Sequence, residues 1–300
     1  MSKVKLVVFT DLDTDHRLER LKEECESREN IEVVSVNMRR MVLTDREIYD
    51  EKGEKLDFSN SVVWALSNLT TTHCVSLLLY NKETLIWPDK KSLFFADKFD
   101  SSVFFSKIGV LSPKTSFINS LENIESVANS VGGYPCIIKK TIGSMGMFVE
   151  VVSSNKEVEE FIQNTFQRAK KSKMAYNRIK FLLQEYIEET NGSDYRVLCL
   201  DGEVLGVIKR EAVSGFKSNV SLGGKATHIP LDDKLKEYAL KIMKEGNLFY
   251  AGIDFMKAGD DYMVLEVNTS AQFKGFEAAT RINVAGKIID KLLEKRINKK

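Results

Sequence analysis

The sequence predicts an open α/β domain at the amino terminus, followed by helices and β-hairpins, and three observations carry that prediction. Strand, helix and strand alternate with short links from Val4 to Val36, the signature of an open α/β unit. Between Cys136 and Val152 two strands flank a glycine-rich turn, which describes a hairpin. Near the carboxyl terminus, Gly252-Ile253-Asp254-Phe255 and Leu265-Glu266-Val267-Asn268 form a second hairpin about the polar turn Lys257-Ala258-Gly259-Asp260-Asp261.

Val4 to Phe9 reads as a buried first strand, too short and too β-rich for a signal peptide. The turn Thr10-Asp11-Leu12-Asp13 is acidic, either through solvated turn carboxylates or as a metal site. Asp15 to Glu26 is an amphipathic helix with Leu18 and Leu21 on one face; Ile31 to Val36 is a strand, Asp50 to Lys55 turns a small polar hairpin, and Ser61 to Leu66 is a short apolar strand. Leu85-Ile86-Trp87-Pro88-Asp89 reads as a boundary, because Pro88 stops regular structure. Ala96 to Ile108 is helical, with Phe99, Val103 and Phe104 at helix spacing; Leu121 to Val131 is a helix closed by Gly132-Gly133. Cys136 to Ile138 is a strand running into Lys139-Lys140, then a loop from Thr141 to Gly146, then a strand from Met147 to Val152. The loop is no P-loop, which needs a following helix and a Gly-Lys-Ser/Thr ending; its glycines and Ser144 let backbone amides approach a phosphate, or simply turn a hairpin. Glu157 to Lys171 is helical, and strands follow at Phe181 to Tyr186, Tyr195 to Leu200 and Val204 to Lys209, the last two joined by Asp201-Gly202. Phe216 to Asn219 and Gly223-Gly224 form a polar loop, and Asp232 to Gly246 and Val284 to Arg296 are helices.

The 300 residues suffice for two or three compact units, and 43% hydrophobic with 29% charged residues is an ordinary globular composition. With Lys plus Arg at 44 against Asp plus Glu at 43, the net charge of +1 speaks against binding nucleic acid mainly through phosphates. No stretch approaches a membrane span. The four cysteines are scattered singly, without zinc or CxxC spacing, which predicts reduced thiols and a cytoplasmic setting. His16, His73 and His228 form no constellation.

Alternation places Val264, Glu266 and Asn268 on one face of the last strand, with Leu265 and Val267 on an apolar face. The hairpin returns Asp254 beside Glu266 and Asn268. Two carboxylates and an amide are hard oxygen ligands that suit Mg²⁺ together with substrate phosphates; a hairpin with solvated polar residues is the alternative. The basic run Lys170, Lys171, Lys173, Arg178 and Lys180 is either a solvated face or a docking surface for an acidic peptide.

In chain order the signals are a lysine at a helix start, a lysine before a glycine-rich hairpin, Gln184-Glu185-Tyr186-Ile187, Asp194-x-Arg196, Lys217-Ser218-Asn219, Gly223-Gly224, Asp254 and Glu266-x-Asn268. This order resembles the ATP-grasp ligases, and within them the RimK-like group of glutamate ligases and the similar graspetide-forming peptide macrocyclases. The resemblance covers about residues 90 to 290 and is strongest at Gln184 to Ile187, Phe216 to Asn219 and Leu265 to Ser270, with Gly275 to Thr280 resembling the group's tail. It implies the ATP-grasp fold in three parts, 1–88, 89–180 and 181–300, with an open α/β first domain and ATP between two later α+β lobes. It further implies that Lys98 and Lys139 meet the nucleotide, that Gly143 to Gly146 with Ser144 close over the triphosphate, that Gln184 belongs to the ATP site, that the backbone of Glu185, Tyr186 and Ile187 reads the adenine edge, and that Asp194 lies near the ribose. Lys217, Ser218 and Asn219 would add a phosphate-side contact. Asp254, Glu266 and Asn268 would hold two Mg²⁺ ions, or Mn²⁺. Arg210 would steady developing negative charge; Arg196 would act beside it or serve as a structural ion pair.

The implied chemistry is carboxylate activation by ATP to an acyl phosphate, then attack by an amine or hydroxyl. Departures from the group's pattern are Leu222 before Gly223-Gly224, Ser270-Ala271-Gln272 where Ser-Pro-Gly is usual, Arg281 where glycine is usual, and Trp64 to Asn68 without the common arginine. Most of them fall where the substrates are expected, and together with the basic Lys170–Lys180 segment they favour a peptide or protein substrate of acidic character, as in the macrocyclases. The alternatives are a ligase that adds glutamate or another amino acid to a protein tail or small molecule, and a catalytically silent nucleotide-binding protein. A homo-oligomer is expected, with no nucleic acid or membrane partner.

Overall fold

A computed structural model gives the structure and describes residues 3–66, 75, 85–143, 148–171, 179–188, 192–211 and 225–297. The amino-terminal domain comprises β1 (Val4–Thr10), α1 (His16–Glu26), β2 (Ile31–Asn37), β3 (Val42–Leu43), β4 (Ile48–Tyr49), β5 (Ser61–Ala65) and β6 (Leu85–Trp87). Its parallel sheet runs β2-β1-β5-β6. β1 and β5 are near-continuous apolar runs because both their faces are covered. Leu6, Val8, Val62 and Trp64 face Leu18 and Leu21 of α1, whereas Val7, Phe9, Val63 and Ala65 face Val36, Ile48 and Phe58. Leu85–Trp87 is a fourth strand of this sheet, and the expected boundary segment thus carries its last strand, with Pro88 directly after it. In the acidic first loop, Asp13 pairs with Arg40 at 2.8 Å, which fits the turn-carboxylate reading.

The next unit holds a 3-10 turn at Ser92–Ala96, α2 (Lys98–Lys107), β7 (Thr115–Ile118), α3 (Ile124–Ser130), β8 (Cys136–Lys140), β9 (Val149–Val152), α4 (Asn155–Lys171) and β10 (Phe181–Glu185). β10 lies inside the antiparallel order β7-β10-β8-β9. The expected border after residue 180 would thus cut a sheet, which continues to Glu185. Cys136, Ile138, Phe181 and Leu183 pack with Ile124, Val127, Val158 and Phe161 of α3 and α4. The two-residue period then turns Lys139, Gln184 and Thr115 to the opposite face.

The carboxyl-terminal unit holds β11 (Ser193–Leu200), β12 (Glu203–Glu211), β13 (Lys225–Ile229), α5 (Asp233–Glu245), β14 (Tyr250–Ala258), β15 (Asp261–Asn268), α6 (Lys274–Thr280) and α7 (Val284–Ile297). Its antiparallel sheet runs β13-β12-β11-β14-β15. One apolar core joins this unit to the amino-terminal domain: the Trp64 and Tyr250 rings meet at 5.3 Å between centroids.

The last hairpin departs from simple alternation. Asp254 pairs with Glu266, but Phe255 pairs with Val264, so Leu265 is an extra residue on β15. The bulge resets the pleat. Val264 and Val267 are both buried, while Leu265 is half-buried, the reverse of the expected places of Val264 and Leu265. Glu266 and Asn268 keep their shared face. Opposite Asn268 stands Gly252, where a Cβ would lie 2.6 Å from the Ala271 Cβ. Gly252→Ala is expected to destabilise the fold by about 1–3 kcal/mol through overpacking, read as a lower urea midpoint. An unchanged midpoint would mean that the segment after β15 shifts freely.

Candidate active site

The site face of the carboxyl-terminal sheet carries a chain of alternating charges. Register puts Asp194 opposite Arg210, Arg196 opposite Asp254, and Asp254 opposite Glu266. Arg210 Nε and Nη2 donate to the two Asp194 oxygens at 2.6 and 2.5 Å, and Nη2 lies 3.0 Å from Asp254 Oδ2. Arg196 Nε and Nη2 donate to Asp254 Oδ1 and Oδ2, both at 2.7 Å. Asp194, Arg210 and Asp254 are buried. Burial alone would raise the Asp254 pKa, but Arg196 and Arg210 outweigh it and hold the carboxyl below its usual value. Burial likewise opposes the charge on Arg210, and Asp254 and Asp194 more than restore it.

Glu266 and Asn268 extend this face. Asn268 Nδ2 donates to Glu266 Oε1 at 3.0 Å and lies 3.4 Å from Asp254 Oδ2. The two carboxylates thus converge on one point, now occupied by an amide nitrogen. A divalent cation fits that point if the amide turns to present its oxygen, giving the hard donor set Mg²⁺ takes. Among the described residues no group of three or more His, Cys, Asp and Glu side chains is arranged to hold a metal, so a zinc-type site is not formed there. Cys25 and Cys136 are buried with their thiols pushed up to about 11, which unsuits them as nucleophiles.

The central sheet brings the lysines. Asp97 caps α2 by accepting from the Phe99 and Asp100 amides, which fixes Lys98 in the first turn. Lys98 Nζ donates to Gly143 O at 2.7 Å and stands 3.7 Å from Glu266 Oε2, bridging the glycine loop and the acidic hairpin. Lys139 Nζ donates to Gln184 Oε1 at 2.7 Å, and Gln184 Nε2 donates to Thr115 Oγ1 at 2.8 Å. Burial, then Lys98, lower the Lys139 pKa to about 8, with Glu266 partly opposing them.

Several expected site residues hold one another. Gln184 accepts from Lys139. Both Asp194 oxygens accept from Arg210, which fixes that arginine's fork. The Glu185 amide donates to Lys114 O at 2.9 Å and its carboxylate accepts from the Lys114 amide at 3.1 Å, which leaves a base edge to other backbone groups of the Glu185–Ile187 segment. Lys170 and Lys180 are exposed, and the Lys180 ammonium lies 5.7 Å from the Phe117 ring centroid. Ser144, Lys173, Arg178, Lys217, Ser218, Asn219 and the Lys171 side chain lie outside the described residues, as do Leu222 to Gly224.

The structure places two of the departures from the group's usual pattern. Arg281 closes α6 in the left-handed region at φ 63°, the C-cap conformation that favours glycine. Ala271 is buried against Gly252, and Ser270 and Gln272 contact the amino-terminal domain. The sequence reading missed Thr115, Arg17 and Trp87, whose roles depend on contacts far apart in the chain.

An open α/β domain followed by two sheets that meet over lysines and a carboxylate hairpin is the layout of ATP-grasp proteins. Residues 95–292 match the RimK-like ATP-grasp domain, and the chain belongs to that family. A probable alpha-L-glutamate ligase of Legionella pneumophila (strain Corby) is 34% identical over 200 residues, 66% of this chain; the chain spans 63% of that relative's length. A probable alpha-L-glutamate ligase of Methanococcoides burtonii is 30% identical over 277 residues, 90% of this chain and 89% of the relative. The fold is also that of the ATP-grasp ligase PsnB complexed with minimal precursor, at TM-score 0.69 and 18% identity over 98% of this chain and 99% of that one. Among the described residues no helix is long and apolar enough to cross a membrane.

Burial and Lys98 lower the Lys139 pKa to about 8, so if the nucleotide's phosphates bind beside it, ATP binding at about pH 8.5 is expected to take up a proton there. Calorimetry in buffers of different ionisation enthalpy reads this directly. Lys139→Arg, always charged, should abolish the uptake. Lys139→Ala should shrink the rise in Tm that ATP with Mg²⁺ produces. Wild-type behaviour in both variants would place the lysine away from the nucleotide.

Proposed function

We propose that the chain is an ATP-dependent carboxylate ligase. It passes the γ-phosphoryl group of ATP to a carboxylate, and an amine or hydroxyl then attacks the acyl phosphate and releases phosphate. The observation that carries this reading is the Lys98 bridge from Gly143 O to Glu266, which joins the lysines of the central sheet to the Asp254/Glu266/Asn268 hairpin. Lys139, steadied by Gln184, presents an ammonium to phosphate oxygens. Asp254, Glu266 and Asn268 would hold Mg²⁺, which when bound neutralises charge on the transferring phosphoryl group. Arg196 fixes Asp254, and Arg210, held by Asp194, stands beside the same carboxylate to face charge developing on the activated group.

The substrate is read as a peptide or protein segment. In the first form the enzyme joins side chains within one peptide, as an ester or amide; the basic run and the likeness of the whole fold to a ligase seen with a precursor support it. In the second form it adds glutamate or another amino acid, which the glutamate ligase relatives favour. Incubation with ATP, Mg²⁺, acidic peptides and amino acids separates them by mass. A cross-link loses water from the peptide alone, whereas addition requires the free amino acid and gains its residue. If Lys170 and Lys180 help dock an acidic peptide, changing both to Glu should raise the peptide KM and leave ATP affinity nearly alone, with a salt dependence set by a screening length of roughly 8 Å. Unchanged constants would assign these lysines to a solvated face.

A further inference from the structure

Immediately after Asn268 the chain is pinned to the amino-terminal domain. Trp87 Nε1 donates to Thr269 O at 2.9 Å, and Ser270 Oγ donates to Ala65 O at 2.9 Å. Arg17 makes the most connected contact. Its Nη1 donates to Ser270 O, and its Nη2 donates to Leu66 O at 2.8 Å. With its amide oriented to suit its neighbours, the Gln272 oxygen accepts from Arg17 Nε and Nη2, both at 3.2 Å. Asp15 holds the guanidinium from behind, with Oδ1 and Oδ2 at 3.0 and 2.6 Å, while also capping α1. The Asp15 and Arg17 side chains are only 0% and 7% exposed. Burial would raise the Asp15 pKa, but Arg17 holds it below its usual value, so the pair is ionic.

A buried ion pair is a poor source of stability compared with an apolar replacement, and its best use is to fix geometry. Here the fork reaches from α1 to the segment two to four residues beyond Asn268. We propose that Arg17 is a positioning residue for the metal and phosphate hairpin: by holding Ser270 O and Gln272 it sets the end of β15, and hence where Glu266 and Asn268 stand. This makes the amino-terminal domain part of the Mg²⁺ site. It also accounts for Gln272 as the receiving half of an Arg17 contact. The inference rests on the assignment of Glu266 and Asn268 as metal ligands.

Two variants test it. Arg17→Lys keeps a charge for Asp15 but loses the planar fork. Gln272→Ala leaves the Asp15–Arg17 pair intact and changes an exposed residue. The readout is the Mg²⁺ concentration that gives half of the Tm gain in the presence of a non-hydrolysable ATP analogue, which needs no turnover. Groups that orient metal ligands typically contribute about 10–100-fold to affinity, and a rise of about 10-fold in that midpoint is expected in Arg17→Lys, with a smaller rise in Gln272→Ala. The Tm gain from the analogue alone should stay near wild type in both. Variants that melt lower but keep the wild-type Mg²⁺ midpoint would overturn the proposal and make Arg17 a structural pair only. Failure of the underlying assignment looks different: the wild type, and Glu266→Gln alongside it, would then show the same response to Mg²⁺.

Discussion

Glu266→Gln is expected to lower ADP formation on the order of 100-fold or more while the protein stays folded. The side chain is 33% exposed and its contacts are Asn268 and Lys98, so the fold does not depend on its charge. Its function does. Glu266 and Asp254 converge on one point, and Asp254 is already shared with Arg196 and Arg210, so Glu266 is the less committed anion of the two. A neutral amide there holds Mg²⁺ poorly and leaves charge on the transferring phosphoryl group unneutralised, a loss of the size seen when a preorganised charge-stabilising group is removed. Steady-state ADP release with an unchanged Tm is the check, and wild-type turnover would remove Glu266 from the metal site.

Asp254→Ala is expected to have the largest effect on stability, a loss of about 3–5 kcal/mol, because it leaves Arg196 without its bidentate partner and Arg210 with Asp194 alone in a buried site. Asp254→Asn, which keeps the shape and two polar contacts, should lose less. The same pair gives a pH signature. The folded Asp254 pKa lies below its unfolded value near 3.9, so the unfolded state binds the extra proton as pH falls. Its stabilisation is complete above about pH 4 and is lost as pH drops toward the folded value. Urea melts of wild type and Asp254→Asn from pH 7 down to about 3 should therefore converge in the acid range. Parallel curves would mean that Asp254 is not ionised in the folded protein.

Local pattern carried much of this protein. The first strand and helix, the Asp201-Gly202 turn and the shared face of Glu266 and Asn268 follow from two- and 3.6-residue periods and turn chemistry, and all are observed. The bulge at Leu265 leaves no compositional mark, since one extra residue in a strand looks like any other. β13, Lys-Ala-Thr-His-Ile, is a polar edge strand with too little hydrophobic alternation to be noticed. The place of β10 within the central sheet is a matter of pairing, which sequence order does not specify. Individual site residues such as Arg210 and Asp254 stood out by motif. Their partnership did not, because Asp194, Arg196, Arg210 and Asp254 become neighbours only when three strands are set in register. The Arg17 clamp was invisible for the same reason at longer range, spanning from α1 to the end of β15.

In the proposed reaction the chain activates a carboxylate as an acyl phosphate. Hydroxylamine traps such a species as a hydroxamate before the natural acceptor attacks. With ATP, Mg²⁺, acidic peptides and a pool of amino acids, hydroxamate is expected on one of the carboxylates and ADP in equal amount, both lost in Glu266→Gln. Nucleotide binding with no ADP, which is the behaviour of a catalytically silent protein, or AMP and pyrophosphate in place of ADP, would contradict it.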